Sequence, residues 1–241
     1  MATRWARIWI AVRVCAAGLA AVVVLSGPVG VPSAWAQTCP DIEVVFARGT
    51  GDPVGVGAVG QAFIDSLRSK VGDRTVGQYA VNYAATMNFL RAAEGAADAN
   101  GHVGYMTANC PATRLVLGGF SQGAAVIDLM LGVTPGLSAI SGLGAIPGLE
   151  AVPGLDLGAV AAPLPPQAAD HVAAVAVFGN PLAKIVGPLN ALSPVYGGRT
   201  IDLCNANDPI CGEGDLDNRA AHHQYVPGMT DQAASFVAGL V

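Results

Sequence analysis

The chain has 241 residues, 52% of them hydrophobic and 12% charged, with 12 basic against 17 acidic side chains. That length carries one sizeable core, and the composition excludes an intrinsically disordered chain. The acidic excess runs against the clustered Lys and Arg that phosphate contacts require, so nucleic acid is excluded as a partner and an anionic membrane surface is disfavoured.

Residues 1–36 read as an export leader. Arg4, Arg7 and Arg13 are their only charges, Val14 to Ser26 is an apolar run, and Ala34-Trp35-Ala36 makes a small-x-small cleavage pattern before Gln37. An uncleaved anchor is the alternative, for which the apolar run is short. The remaining domain, 37–241, holds nine basic against 17 acidic residues, a net of −8, and no second segment that could cross a bilayer. A secreted location, extracellular or in the cell envelope, is therefore expected.

Cys15 leaves with the leader, and Cys39, Cys110, Cys204 and Cys211 remain as an even set in an exported chain. Four cysteines allow three connectivities. Cys204 and Cys211 enclose only "NANDPI", which favours the local pair and leaves Cys39 with Cys110. The spacing does not suit a zinc site.

Along the domain two patterns alternate. "IEVVFA" (42–47), "QYAVNYA" (78–84), "RLVLGGF" (114–120), "HVAAVAVFG" (171–179) and "RTIDLC" (199–204) are short runs bounded by turn residues, as buried parallel strands are. Between them Val59, Phe63, Ile64 and Leu67 recur at helical spacing, as do Phe89, Leu90, Ala93 and Ala97. Ala124 to Gly132 is helix-compatible, and "TDQAASFVAGLV" closes the chain with Thr230 as its expected N-cap. The alternation predicts a three-layer α/β fold: a mostly parallel sheet of about five strands with helices on both faces.

Residues 132–166 interrupt it. "TPGLSAI", "IPGLEAV" and "VPGLDLG" repeat loosely with only Glu150 and Asp156 charged, and Pro and Gly are too frequent for a stable helix. The excursion is too long for an ordinary connection. It reads either as a surface loop without a part in chemistry or as an apolar flap or lipid-touching patch.

The densest signal is "LVLGGFSQGAAV" (115–126). Gly119-Phe120-Ser121-Gln122-Gly123 fits G-x-S-x-G between a strand and an alanine-rich helix, the turn on which flanking side chains would collide with backbone. There a serine stands at the sheet's carboxyl edge, and the new helix aims its first amides, Gln122 N–H among them, at a developing oxyanion.

A serine hydroxyl needs a histidine to take its proton and an acid to orient that histidine. His102 precedes the serine and His171 begins a strand, so the order Ser, acid, His leaves His222 and His223. The acid belongs on a loop after a late strand. Asp208 lies there, inside the ring that Cys204 and Cys211 would close, whereas Asp202 reads as a strand residue and Asp215 and Asp217 as solvated turn acids.

These residues resemble the cutinases, and most closely the secreted cutinase-like serine esterases of mycobacteria, over essentially the whole domain. "FARGTGDP" (46–53), "GFSQGAAV" (119–126), "CNANDPIC" (204–211) and "HHQY" (222–225) carry the likeness. The resemblance implies Ser121 as nucleophile, Asp208 as orienting acid and His222 as base, since the family's histidine stands three residues before an aromatic. It also implies the backbone N–H of Thr50, with Gln122, as oxyanion hole, and disulfides Cys39–Cys110 and Cys204–Cys211. The excursion departs from the compact, lidless fungal members.

The expected activity is hydrolysis of carboxylic, fatty acyl esters through an acyl-serine, with no metal and no cofactor, by a monomer that takes small-molecule or lipid esters and makes peripheral contact with lipid surfaces. The rivals are a non-catalytic lipid-binding protein on the same fold and an acetylxylan-type esterase.

Overall fold

The computed structural model describes residues 39–132 and 163–241. The leader, its cleavage site and most of the excursion lie outside the described residues.

Five strands form one parallel sheet: β1 (Ile42–Ala47), β2 (Val76–Ala80), β3 (Arg114–Phe120), β4 (Val172–Phe178) and β5 (Thr200–Leu203), in the order β2-β1-β3-β4-β5. The principal helices are α1 (Gly57–Arg68), α2 (Ala92–Asn109) and α3 (Gln122–Met130), then the short α4 (Pro181–Val186) and α5 (Leu189–Leu192), and α6 (Gly228–Ala238).

Every residue of β1 and β4 is buried, as a sheet covered on both faces demands. Side chains alternate between the two faces. Ile42, Val44 and Phe46 pack with Phe63, Ile64 and Leu67 of α1 and with Ala233 and Val237 of α6. Val45, Ala47 and Leu117 pack with Ala99 and Val103 of α2 and with Ile127 and Met130 of α3. Each fully buried large side chain contributes on the order of 1.5–3 kcal/mol, so these two cores hold the three layers together. Glu43 is the polar exception in β1, and it meets His102 of α2 as an ion pair when the imidazole is protonated.

Three expected boundaries shift. β2 covers 76–80 rather than 78–84, because the chain past Val81 turns to offer the Val81 and Tyr83 carbonyls to the Arg48 guanidinium. The helix expected around Phe89–Ala97 opens with a 3₁₀ turn whose first amide, Leu90 N–H, is accepted by Asn88, and it runs on to Asn109. Thr230 does not cap the last helix. That helix starts at Gly228 behind Pro227, and the Thr230 hydroxyl donates back to the Pro227 carbonyl.

β1 lies between the edge strand β2 and the central strand β3, with its crossover to β2 on one side and the chain from β3 leading away on the other. The ends of β1 and β3 therefore form the point where strand order reverses, where open α/β sheets place their ligands. Among the described residues no helix is long and apolar enough to cross a membrane.

Candidate active site

β3 ends at Phe120 and α3 begins at Gln122, so Ser121 alone makes the turn. It sits at φ 55° and ψ −118°, a left-handed conformation that costs a non-glycine residue on the order of 1–3 kcal/mol. The surroundings enforce it: Ser121 N–H donates to Phe178 O, and its carbonyl accepts from Ala124 N–H. The flanking glycines answer to close approach. A Cβ on Gly119 would lie 2.2 Å from Gly123 O, and one on Gly123 would lie 1.9 Å from Ala47 O.

Asp208 and His222 reach the same edge from the loops beyond β5. His222 Nε2 lies 2.8 Å from Ser121 Oγ, and its Nδ1 lies 2.7 Å from Asp208 Oδ2. With Nδ1 protonated toward the carboxylate, Nε2 is free to accept the serine proton. His223 is exposed; its ring lies edge-on to Phe120 at 5.9 Å and to His222 at 5.6 Å between ring centres, and the hydrogen bonds to Ser121 and Asp208 belong to His222. Asp208 is sealed from solvent, and Cys204–Cys211 closes the ring around it. Burial alone would push its carboxyl up. Donation from Tyr225 OH, His222 and Ile210 N–H outweighs that and holds it below the ordinary carboxylate range.

On the other side of the serine, the loop after β1 carries Thr50 against α3. Thr50 Oγ1 donates to Gln122 Oε1 at 3.2 Å, and Gln122 Nε2 donates to Thr86 O at 3.0 Å, so the buried Gln122 amide ties the loops after β1 and β2 to the start of α3. Gly51 N–H donates to Ala85 O at 2.8 Å. Among the described residues the backbone N–H groups of Thr50 and Gln122 have no hydrogen-bond acceptor, which leaves both free for an oxyanion.

Two supports were invisible as motifs. Arg48 is buried under the Thr50 loop, donating to the carbonyls of Asp52, Val81 and Tyr83 with its guanidinium 5.1 Å from the Tyr83 ring centre; Tyr83 OH returns a bond to Arg48 O. Tyr225 counted only as an aromatic spacing mark, yet its hydroxyl lies 2.5 Å from Asp208. The signal for Arg48 was present: a lone cation inside "VVFARGTG" has to be held by something. Both expected disulfides are formed, Cys39–Cys110 and Cys204–Cys211, with Cα separations of 5.5 and 5.8 Å.

A family model described as Cutinase matches residues 38–241. The chain belongs to the cutinase family. It is 50% identical over 228 residues to a phospholipase, Culp4, of Mycobacterium tuberculosis, spanning 94% of this chain and 89% of that one. It is 49% identical to a probable carboxylesterase, Culp3, of the same species, over 88% and 73% of the two chains. Among solved structures it is similar to a Trichoderma reesei cutinase bound to a phosphonate inhibitor, at 30% identity and TM-score 0.58, over 84% of this chain and 77% of that one. The catalytic core of an acetyl xylan esterase from Trichoderma reesei shares the fold at 23% identity and TM-score 0.63, over 84% of this chain and all of the other. With its family, this cutinase-like protein is a carboxylic ester hydrolase.

Proposed function

We propose that this cutinase-like protein is a secreted serine esterase that cleaves fatty acyl esters at lipid surfaces, with Ser121 as nucleophile, His222 as general base and then acid, and Asp208 as orienting acid. The observation that carries it is the imidazole of His222, bonded on one side to Ser121 Oγ and on the other to Asp208. Ser121 Oγ attacks the ester carbonyl carbon while its proton passes to His222 Nε2. The carbonyl oxygen becomes an alkoxide received by the Thr50 and Gln122 N–H groups. Collapse expels the alcohol, which takes the proton from Nε2 and leaves an acyl-serine. Water then repeats the sequence and releases the acid.

The lipid part of the reading rests on where apolar side chains are exposed. Val54 follows β1, Met87 and Phe89 follow β2, Ile185 lies on α4 after β4, and Leu216 follows β5; all are exposed. In a parallel sheet the loops that follow strands leave the edge where Ser121 stands, so these side chains give that edge an apolar rim, while Tyr105 late in α2 and Val195 ahead of β5 are exposed as well. A rim of this kind suits acyl chains better than sugar rings, and the name phospholipase carried by a relative places phospholipids among the esters to test. A carrier without catalysis has no use for a strained serine bonded to a buried His–Asp pair. Residues 1–36 act in this reading as the leader, and the monomer is sufficient, since one chain supplies the whole site.

Purified domain 37–241 is to be assayed on nitrophenyl esters of increasing acyl length with a fluorophosphonate probe. One serine should label, and labelling should vanish in Ser121→Ala. His222→Ala should lose on the order of 10⁶ in turnover while His223→Ala stays within about twofold. Labelling that persists in Ser121→Ala overturns the assignment.

A further inference from the structure

The candidate acid has one more partner than the Ser–His–Asp relay requires. Asp208 Oδ2 accepts from His222 Nδ1 at 2.7 Å and also lies 2.5 Å from the Tyr225 hydroxyl, while Oδ1 accepts from Ile210 N–H at 2.7 Å. Two further contacts settle which way the Tyr225 hydrogen points. Asn205 N–H donates to the phenol oxygen at 3.3 Å, occupying it as an acceptor. Cys211 Sγ lies 3.3 Å away, but it is in the disulfide with Cys204, so it carries no hydrogen and is a weak acceptor. The carboxylate is the strong acceptor in reach, and the phenol donates to it. Burial first, and the hydrogen bond to Asp208 second, push the Tyr225 phenol well above its ordinary range, which keeps it a donor at any working pH.

The ring is held as firmly as its hydroxyl. Tyr225 is buried, edge-on to Phe120 at 5.5 Å and to Phe178 at 6.1 Å between ring centres. Gly179, at φ +58°, makes the room: a Cβ there would lie 3.1 Å from Tyr225 OH and 3.0 Å from His222 Cε1.

We propose that Tyr225 is a positioning residue for ester hydrolysis, its hydroxyl sharing Asp208 Oδ2 with His222 and so holding the carboxylate charged and aimed at the imidazole. The proposal rests on the esterase reading above. Removing the hydroxyl acts on the acid limb of the pH profile in two ways of the same sign. The buried carboxyl loses a donor that stabilised its anion, so it takes up a proton at higher pH. While still ionised, its charge is no longer divided between two donors and holds the imidazolium more tightly. Both move the loss of activity upward in pH.

The test is Tyr225→Phe, which keeps the ring. On a soluble butyrate ester, kcat should fall about tenfold with KM within about twofold, and the acid limb of kcat/KM should rise by about half a unit to one unit. The His222 Cε1–H resonance, assigned by its absence in His222→Gln, should show a titration midpoint raised by a similar amount. That resonance needs no turnover: a shifted midpoint in a protein that hydrolyses no ester would sink the esterase reading and leave the positioning role standing. An unmoved limb and midpoint, whatever happens to the melting temperature, would overturn the positioning role. If Tyr225→Phe does not fold, uniform 3-fluorotyrosine at the five tyrosines retains packing and makes each phenol a stronger donor. The limb should then move down, and an unmoved limb overturns the proposal.

Discussion

Asp208 and Asp128 are both carboxylates closed to solvent, at 0% and 2% exposure, and the two surroundings drive them in opposite directions. Asp208 has a donor on each oxygen and is held below the ordinary range. Asp128, two turns into α3 on the helix that Ser121 begins, has no hydrogen-bond partner on either oxygen among the described residues. Its neighbour Asp202 on β5 takes the Asn180 Nδ2 donor at 3.0 Å and the Leu189 N–H at 2.9 Å. Burial foremost, then the Asp202 charge, push Asp128 up to about 8; the Asn180 amide, whose Nδ2 is bonded to Asp202, offsets this only in part through space. Both are closed to solvent, but Asp128 lies deeper and beside a second carboxylate, while Asp208 is surrounded by donors. The donors decide whether it yields a permanent anion or a neutral acid.

The sharpest way to break this comparison is to remove the charge at each site. Asp208→Asn should cost about 10⁴ in kcat, because the amide leaves the His222 tautomer wrong for accepting the serine proton. Fluorophosphonate labelling kinetics and turnover measure it, and a loss of less than about tenfold would detach Asp208 from the reaction.

A milder perturbation leaves the Asp208 carboxylate and loosens its frame. Replacing Cys204 and Cys211 together by Ser should lower kcat about tenfold while inhibition by a non-reactive substrate analogue changes little, since the ring orients the acid and does not touch the acyl group. An unchanged kcat with a lower melting temperature would reduce the bond to a structural one.

Asp128→Asn should leave kcat within about twofold and act on stability alone. Below about pH 4 folded and unfolded chains both hold the Asp128 proton. As pH rises from there the unfolded chain releases it while the folded chain keeps it until about 8, so stability falls across that window and levels off above it. The raised carboxyl of Asp202 adds in the same direction. Removing the Asp128 titration should flatten the decline and stabilise the protein at pH 7 by roughly a few kcal/mol, read by urea unfolding between pH 4.5 and 8. Equal slopes for both proteins would refute it.

The G-x-S-x-G turn was legible because it is a local steric requirement: the 1.9 and 2.2 Å approaches at Gly123 and Gly119 admit no side chain whatever the rest of the chain does. The strand runs were legible for a similar reason, since an unbroken apolar stretch such as "VAAVAVF" can only be buried on both sides. Asp208 stands out in the sequence by its ring and by chain order. His222 could not be separated from His223 by local pattern, since adjacent histidines have the same composition around them, and the family likeness made the choice.

What the sequence by itself determined was therefore whatever acts within a few residues: the alternation of strand and helix, the serine on its turn, the short ring around Asp208. Only the tertiary structure decided the partners brought from far along the chain. Arg48 meets the carbonyls of Val81 and Tyr83, and Asp128 meets the field of Asp202, across gaps that no periodicity spans. Tyr225 is three residues from His222, yet its bond is to Asp208, 17 positions earlier. Hydrogen bonds and charges depend on distance in space, and the packing of β1, β3 and β5 sets those distances.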